Sequence, residues 1–391
     1  MFTIQTLNKI SATGLSHLPA TRYTISDEAA EPQGILVRSQ KISEAELPPS
    51  LLAIARAGAG TNNIPVEACS ERGIVVFNTP GANANGVKEL TLLGLLISSR
   101  KVYRALAWAQ TIKGRGDEVA KLVEKEKSQF AGEEILGKKL GVIGLGAIGV
   151  MVANDARALG MDVTGYDPFI SVEAAWGLSR SVRKAASLEE IFTESDYITL
   201  HVPLNSQTEG LLNESAFKMM KRGVKILNFS RGALVDNKAI IQAAREGQVG
   251  RYITDFPEDE LLGEENILAI PHLGASTMES EENCAVMAVQ EIRDYLEAGN
   301  IRNSVNYPNC EMRPSGKMRL CVAGRNVPNI LGSITHTIGE HGINVAGMIN
   351  NHKAGYAYTI IDVDDELTEE LVTQLRSIEG VISTRIIKFS L

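Results

Sequence analysis

Two side chains that could act on a 2-oxo or 2-hydroxy acid follow separate apolar runs of the sequence. Arg231 stands in a Ser-Arg-Gly turn after residues 224–229, and His272 follows residues 267–270 in a Pro-His-Leu-Gly turn. A guanidinium binds a carboxylate through two parallel hydrogen bonds. An imidazole exchanges protons near neutral pH, which the interconversion of a ketone and an alcohol requires. Either residue alone is common in surface turns, so the assignment depends on both occurring in one chain.

An acidic residue beside the histidine would orient the imidazole and favour its protonated form. The segment 255–260, Asp-Phe-Pro-Glu-Asp-Glu, offers several carboxylates for this role. Arginine, acid and histidine together suit the reversible reduction of 2-oxo acids. This chemistry needs no metal, because the arginine and the protonated imidazole can polarise the carbonyl group.

A glycine turn of the G-x-G-x-x-G type indicates a dinucleotide site. A strand-like run at 140–143 precedes the turn and a helical pattern at 150–159 follows it. In such a turn the first glycine permits the sharp bend, the second lets a pyrophosphate approach the backbone, and the third allows close helix packing. The free N–H groups at the start of the helix then face the phosphates. The three glycines are Gly144, Gly146 and Gly149.

Asp167 ends a second predicted strand, 162–166, and lies 23 residues after the first glycine. A dinucleotide fold has an acid at about 20 residues, where it accepts hydrogen bonds from the ribose hydroxyls. A 2′-phosphate would be repelled by this carboxylate, so the sequence predicts NAD rather than NADP.

Strand-like runs alternate with helical patterns over most of the chain, which predicts an α/β fold with parallel sheets. Ligands of such sheets bind at the carboxyl ends of the strands. Long helices are predicted at 87–109 and 277–298. The predicted strands are 34–39, 51–58, 73–77, 140–143, 162–166, 197–202, 224–229, 250–254 and 267–270. The residues that end or follow the first three of these strands and become site candidates are Arg38, Ser39, Gly58, Ala59, Gly60 and Asn83.

A linker at 301–308 and a change of composition near 312–316 precede a different pattern. Strands are predicted at its start and end, with a helix, two strands and a helix between them. This βαββαβ order is ferredoxin-like. The fold class is therefore two doubly wound parallel-sheet domains, one for substrate and one of Rossmann type, with a C-terminal ferredoxin-like unit.

Composition limits the possible partners. The 391 residues are 44% hydrophobic and carry a net charge of −8, which argues against nucleic acid and against an anionic membrane surface. The four cysteines show no metal-binding spacing, and they are predicted to be reduced thiols. No signal peptide and no membrane span is predicted, so we expect a cytoplasmic location.

The combined motifs resemble the NAD-dependent D-isomer-specific 2-hydroxyacid dehydrogenases over nearly the whole chain. The matching segments are 38–39, 57–62, 81–83, 87–89, 144–149, 167–168, 201–203, 228–232 and 271–274. The resemblance implies that Arg231 holds the substrate carboxylate and that His272 exchanges the proton. The family's catalytic acid maps to Glu260 when counted from Asp255. It maps to Asp259 when the Phe-Pro pair is the anchor, and Glu260 is the preferred assignment.

The resemblance also implies an NAD site. Asp167 would hold the adenosine ribose, and Asp255 the nicotinamide amide. The implied cofactor-binding residues are Gly144, Gly146, Ala147, Ile148, Gly149, Asp167, His201, Val202, Pro203, Thr208, Phe229, Ser230, Arg231, Asp255, His272 and Gly274.

For the substrate, the resemblance implies that backbone N–H groups of residues 58–60 meet the carboxylate. Arg38, Ser39 and Asn83 map to positions at the phosphate end. Family members with these features oxidise D-3-phosphoglycerate, the first step of phosphorylated L-serine biosynthesis, and we expect this activity. The alternatives are a hydroxypyruvate or glyoxylate reductase and a catalytically silent NAD(H)-sensing regulator. The intact set of arginine, acid and histidine favours an enzyme.

The resemblance implies that the chain folds back, so that 1–87 and 285–316 form the substrate-binding domain and 88–284 the NAD-binding domain. It also implies a homodimer or homotetramer. Residues 317–391 resemble an ACT domain, a module that commonly binds an amino acid. Asn326 and Asn344 match two serine-contacting positions. Serine-regulated relatives have histidine where this chain has Gly324, and glycine where it has Asn329, so a dimerisation module without a ligand is the alternative.

Overall fold

Three sheets organise residues 1–389, which the computed structural model describes. The chain divides into two units. One unit contains Met1–Ala82 together with the chain from Met278 onward, and the other is Asn83–Thr277. This division places the residues after 317 with the first unit. The predicted domain limits remain predictions, whereas the predicted α/β class with two parallel sheets is confirmed.

The sheet of the first unit has five parallel strands in the order β2-β1-β3-β4-β5. The strands are β1 Phe2–Leu7, β2 Tyr23–Ser26, β3 Gly34–Val37, β4 Ala53–Arg56 and β5 Val75–Phe77. The sequence pattern predicts only the last three. The strand β2 lies at the sheet edge and buries Tyr23 alone, so it carries little hydrophobic periodicity.

Three helices accompany this sheet, namely α1 Ala12–Leu15, α2 Val66–Glu71 and α11 Met278–Ala298. The helix α11 joins the first unit although it follows the whole of the second unit in sequence. A Cβ atom on Gly14 would lie 2.7 Å from Ala285, and one on Gly34 would lie 2.7 Å from Ile292. Gly14 therefore packs against the backbone of Ala285, Gly34 leaves room for the Ile292 side chain, and α11 completes the core of the first unit.

The second unit contains a parallel sheet in the order β12-β11-β10-β9-β6-β7-β8. The strands are β6 Lys139–Ile143, β7 Asp162–Tyr166, β8 Arg183–Lys184, β9 Tyr197–Leu200, β10 Val224–Asn228, β11 Val249–Thr254 and β12 Ile267–Ala269. The order reverses between β6 and β9. Such a switch point leaves a crevice at the carboxyl ends of the two strands, where doubly wound folds bind ligands.

The helices of the second unit are α3 Ala84–Ser99, α4 Val102–Thr111, α5 Val119–Glu126, α6 Ala147–Ala158, α7 Val172–Gly177, α8 Leu188–Glu194, α9 Glu214–Met219 and α10 Asn237–Arg245. The predicted single helix 87–109 is wrong, because the backbone of Arg100 is extended and separates α3 from α4. The hydroxyls of Ser98 and Ser99 both donate to the Leu95 carbonyl in the last turn of α3. Serine competes in this way with the helical hydrogen bonds and favours a helix end.

The C-terminal segment forms an antiparallel sheet in the order β14-β15-β13-β16, which confirms the predicted βαββαβ unit. Its elements are β13 Met318–Arg325, α12 Ile330–Glu340, β14 Val345–Lys353, β15 Tyr356–Val363, α13 Glu369–Arg376 and β16 Val381–Lys388. One face of the sheet packs on the two helices. The other face contributes Cys321, Tyr358 and Ile360 to the core that contains α11.

A buried ion pair joins this C-terminal sheet to the end of α11. Arg319 and Asp362 are both fully buried and form two hydrogen bonds, of 2.7 and 2.9 Å. The same guanidinium donates to the carbonyls of Ala298 and Met312. Its hydrogen bonds therefore connect two strands, the last turn of a helix and the linker.

All four cysteines are free and buried, in agreement with the predicted unpaired thiols. Among residues 1–389, no helix has the length and apolar character that crossing a bilayer demands.

Candidate active site

The glycine turn at the end of β6 has the geometry that a dinucleotide site needs. Gly144 has a φ of +92°, and a Cβ atom there would lie 2.4 Å from the His201 carbonyl oxygen. A Cβ atom on Gly149 would lie 1.9 Å from the Gly144 oxygen. By contrast, a Cβ atom on Gly146 would have no neighbour within 4 Å. The first and third glycines are thus needed for packing, and the second faces open space.

This open space lies at the start of α6, where Gly146 is the N-terminal capping residue and provides no side-chain cap. The first N–H groups of a helix lack partners within the helix and attract anions. Ala147 and Ile148 form the first turn and supply these groups. The residues present therefore fit a pyrophosphate.

Asp167 follows β7 and is oriented by the backbone. One carboxylate oxygen accepts from the N–H of Leu145 and the other from the N–H of Phe169, each at 2.8 Å. Each carboxylate oxygen has a further lone pair, so the group can still accept hydrogen bonds from ribose hydroxyls. Its hydrogen bond to Leu145 ties it directly to the glycine turn, which fits its predicted role.

His201 follows β9 and packs beneath the glycine turn. Its Nε2 atom lies 2.9 Å from the Thr199 hydroxyl, and its Nδ1 atom is shielded from solvent. Burial lowers the pKa of His201 to about 3, because the charged imidazole is poorly solvated there. His201 is therefore neutral at physiological pH. The following loop is stabilised by Thr208, whose hydroxyl donates to the Pro203 carbonyl at 2.6 Å.

The turn after β10 positions Arg231. The amide of Asn228, which is fully buried, donates to the Arg231 carbonyl at 2.9 Å, and the Ser230 hydroxyl donates to the Leu200 carbonyl at 2.6 Å. These bonds hold the backbone on both sides of Phe229, a buried residue. The guanidinium of Arg231 is exposed, and its Nη1 atom donates to the Ser230 carbonyl. Its remaining N–H groups can meet a carboxylate.

His272 lies beside Asp255, which follows β11. The Nε2 atom of His272 is 4.0 Å from an oxygen of Asp255, and the imidazole is 60% exposed. The ring also packs on Phe256, with centroids 4.8 Å apart. The carboxylate oxygen near the imidazole accepts from the N–H of Gly274 at 3.2 Å. An exposed imidazole is thus held between an acid and an aromatic ring.

Asp255 itself is fully buried, and its second oxygen has no hydrogen-bond partner among residues 1–389. Burial raises the pKa of Asp255, while the nearby His272 opposes this shift. A buried carboxylate with an unmatched oxygen is a group whose partner is expected to come from outside the chain. This observation fits the predicted contact of Asp255 with a carboxamide, which can donate an N–H group.

The predicted catalytic acid does not meet the histidine. Glu260 and its alternative Asp259 stand in the exposed 3₁₀ turn Asp259–Leu261, anchored by the buried Leu261. Within residues 1–389, Asp255 is the acid that lies within 4.0 Å of a His272 nitrogen. The assignment of Glu260 therefore stays a prediction.

Glu258, from the same acidic segment, lies closer to the arginine turn. Its carboxylate accepts from the Asn237 amide at 2.8 Å. A Cβ atom on Gly232 would lie 3.6 Å from its other oxygen. The acidic segment 255–260 includes Glu258, but its spacing alone could not decide which of Glu258, Asp259 and Glu260 acts as the catalytic acid.

In the first unit, the structure brings together two arginines at the carboxyl ends of neighbouring strands. Arg38 follows β3, and Arg56 ends β4. The Nε atom of Arg56 donates to the Arg38 carbonyl at 2.9 Å, and its Nη1 atom donates to the Gly60 carbonyl. A Cβ atom on Gly58 would lie 3.5 Å from the Arg56 guanidinium. The predicted residues Arg38, Gly58 and Gly60 are therefore neighbours.

Arg56 is not among the predicted site residues, although its position at the end of a strand was a usable signal. Ser39 and Ala59 also lie in these turns. The Ser39 N–H donates to the Asn8 side chain at 3.1 Å, and the Ala59 carbonyl accepts from the Asn78 amide. Asn83 belongs to the second unit, where it is the N-terminal capping residue of α3.

The structure of the C-terminal unit accounts for Gly324 and Asn329, the two positions where the chain differs from serine-regulated relatives. A Cβ atom on Gly324 would lie 2.7 Å from the Gly380 carbonyl oxygen, so no histidine fits there without a backbone shift. Asn329 has a φ of 66°, the left-handed conformation that glycine adopts most easily and asparagine tolerates. The Asn326 N–H donates to a backbone carbonyl at 2.8 Å. The Asn344 amide donates to Asp364 at 2.6 Å.

The glycine turn, its acid and the two parallel sheets define a dinucleotide-dependent dehydrogenase fold. Residues 95–274 match the family described as D-isomer specific 2-hydroxyacid dehydrogenase, NAD binding domain. The chain belongs to this family.

Among its relatives, the chain is similar to two proteins named D-3-phosphoglycerate dehydrogenase. That of Haemophilus influenzae is 33% identical over 354 residues, which cover 88% of this chain and 82% of the relative. That of Methanocaldococcus jannaschii is 35% identical over 322 residues, 81% of this chain. The chain spans 58% of the length of the latter protein.

A solved structure of NAD+-bound 3-phosphoglycerate dehydrogenase from Entamoeba histolytica is also similar to the chain. It superposes with a TM-score of 0.58 at 27% identity, over 78% of this chain and 98% of the other.

Proposed function

We propose that this chain oxidises D-3-phosphoglycerate to 3-phosphohydroxypyruvate with NAD+, the entry reaction of L-serine biosynthesis by the phosphorylated route. The observation that carries the proposal is the exposed imidazole of His272, held 4.0 Å from the buried carboxylate of Asp255. The relatives with this name support the choice of substrate.

The cofactor is held by residues of the second unit. The N–H groups at the start of α6 would hold its pyrophosphate, and Asp167 would hold its ribose. The oxygen of Asp255 that has no partner among residues 1–389 would hold its carboxamide. When bound, NAD+ supplies the acceptor for the hydride from the substrate's second carbon.

The protein handles the charges and the proton. Arg231 holds the substrate carboxylate, since its guanidinium projects from a turn whose backbone is fixed. His272 takes the hydroxyl proton at Nε2 as the alcohol becomes a ketone. The ionised form of Asp255 then stabilises the imidazolium through the charges of the two groups. Glu260 is our assignment for the acid that further orients the imidazole, with Asp259 as the alternative.

The phosphorylated end is assigned to the first unit. Arg38 and Arg56 place two guanidinium groups at adjacent strand ends, and a phosphate dianion requires donors of this kind. Ser39 is a further donor proposed in this unit, and Asn83, a residue of the second unit, keeps its predicted assignment to the phosphate. The carboxylate is assigned to the backbone N–H groups of residues 58–60.

A second candidate is the reduction of hydroxypyruvate or glyoxylate. It is favoured by one observation, namely that Arg38 already pairs with Glu281 at 2.6 Å. The deciding experiment follows NADH oxidation at 340 nm with 3-phosphohydroxypyruvate, hydroxypyruvate and glyoxylate. A much larger kcat/KM for the phosphorylated acid supports the proposal, and a preference for the other two supports the reductase. Tight NADH binding without turnover would instead indicate an NAD(H)-sensing regulator.

For the C-terminal unit we propose an ACT domain in a cytoplasmic homodimer or homotetramer. Asn326 and Asn344 are the side chains assigned to L-serine. Adding L-serine to the same assay tests this assignment, and light scattering measures the oligomeric state. If serine leaves the rate unchanged, the close backbone contact at Gly324 accounts for the absence of serine binding. The unit then contributes only to the association of subunits.

A further inference from the structure

One ion pair links the predicted phosphate end of the site to the first turn of α11. The Nη2 atom of Arg38 lies 2.6 Å from a carboxylate oxygen of Glu281, with side-chain exposures of 42% and 45%. Both residues belong to the first unit. The pair is reachable by solvent, and an anion that binds Arg38 must compete with a carboxylate already in place.

The residues around this pair show which charged groups influence the binding of an anion at Arg38. Arg56 is bonded to the Arg38 carbonyl at 2.9 Å and to the Gly60 carbonyl. Glu281 lies three residues before Cys284, and this spacing places both on one side of the helix. Burial raises the pKa of the Cys284 thiol, so the thiol stays neutral and adds no charge to the cluster. Glu281 is therefore an anionic group that opposes the binding of a phosphate at Arg38.

We propose that Glu281 is a specificity-determining residue, whose carboxylate occupies the Arg38 guanidinium and lowers the affinity for the phosphorylated end of the substrate. This inference rests on the proposed function. According to this inference, the carboxylate of Glu281 sets the relative affinity of the site for phosphorylated and unphosphorylated acids. A dianionic phosphate must displace the Glu281 carboxylate from Arg38 and is repelled by its negative charge. A neutral hydroxymethyl group does not displace the carboxylate and is not repelled by it.

The expected effect follows from the exposure of the pair. Partly exposed ion pairs contribute little, so breaking one changes an equilibrium by no more than about fivefold. Removing the repulsion between the carboxylate and a phosphate adds a factor of similar size. We expect E281Q to lower KM for 3-phosphohydroxypyruvate by roughly three- to tenfold. The KM for hydroxypyruvate and both kcat values should change less than about twofold.

The experiment compares four proteins in the NADH assay: wild type, E281Q, R38Q and the double variant. E279Q is the matched control, because Glu279 is an exposed carboxylate in the same first turn of α11. If Glu281 acts through Arg38, its replacement in the R38Q background leaves KM unchanged. Inorganic phosphate binding, measured by calorimetry on the same proteins, gives a readout that needs no turnover.

The outcomes separate this inference from the proposed function. A lower KM for the phosphorylated substrate in E281Q, absent in E279Q, supports the inference. An unchanged or higher KM overturns it, as does an equal change for both substrates or an R38Q variant with unchanged KM. If the wild type turns over no phosphorylated substrate, the proposed function fails. The inference then stands if E281Q binds phosphate more tightly than the wild type, and falls if it does not.

Discussion

Replacing Glu291 by glutamine is expected to stabilise the first unit at alkaline pH and to have little effect at acidic pH. Glu291 lies on α11 and is only 7% exposed. One carboxylate oxygen accepts from the Asn303 amide at 2.7 Å, and the other is buried without a hydrogen-bond partner in the described part of the chain. A glutamine keeps the shape of the side chain and removes the charge.

The magnitude follows from the pKa of Glu291. Burial raises it to about 8 from 4.5, although Asn303 and Arg302 favour the charged form. Between these two pH values the folded protein keeps a proton that the unfolded chain releases, so stability falls as pH rises and the loss is complete above about 8. A difference of about 3.5 in pKa corresponds to about 5 kcal/mol, which is an upper limit. We expect about 2–5 kcal/mol, since water entering on ionisation reduces the effect.

Thermal unfolding at pH 5.5 and pH 9 measures this difference. The E291Q protein should unfold on the order of 5–15 °C above the wild type at pH 9, for a unit of this size. The two proteins should differ by less than about 1 kcal/mol at pH 5.5. E279Q is the control, because an exposed carboxylate in the first turn of the same helix contributes only about 0.3–1 kcal/mol and does so at both pH values.

The reasoning is refuted if the stabilities of wild type and E291Q run parallel from pH 5.5 to pH 9. Such a result would mean that Glu291 titrates at the same pH in the folded and unfolded states. If E291Q is less stable than the wild type at pH 5.5, the protonated carboxyl group of Glu291 makes a hydrogen bond that glutamine cannot replace.

Three further predictions concern the glycine turn, the buried ion pair and the imidazole. G144A should abolish NADH binding in calorimetry and destabilise the protein by roughly 1–3 kcal/mol, because the left-handed residue would also contact the His201 carbonyl; binding at wild-type affinity would contradict this. R319M should reduce stability by about 3–5 kcal/mol by leaving the buried Asp362 unpaired, and a D362L change in the same protein should restore much of the loss in urea unfolding. H272N should lower kcat by about 10²- to 10⁴-fold, and a kcat within threefold of wild type would exclude His272 as the proton acceptor.

Local patterns predicted nine of the twelve strands that the two parallel sheets of residues 1–389 contain, and they missed β1, β2 and β8. The strand after α6 was predicted at 162–166 and is Asp162–Tyr166 in the structure. Buried strands of a parallel sheet are continuous apolar runs, which are easy to recognise. The break between α3 and α4 was not predicted, because it depends on two serine hydroxyls that turn back to Leu95.

The sequence by itself determined the family, the dinucleotide turn and the order of the C-terminal unit. These features rest on residues close together in the chain, such as Gly144 and Asp167, whose roles depend on backbone conformation and fixed spacing. The resemblance extends this information to Arg231 and His272.

Tertiary structure decided which side chains meet across long separations. It placed Asp255, rather than Glu260, beside the imidazole, and it brought Glu281 to Arg38 across 243 positions of the chain. It also closed the space around Gly324 with the distant Gly380. No periodicity or spacing encodes such contacts, because they arise only when separate elements pack on one another.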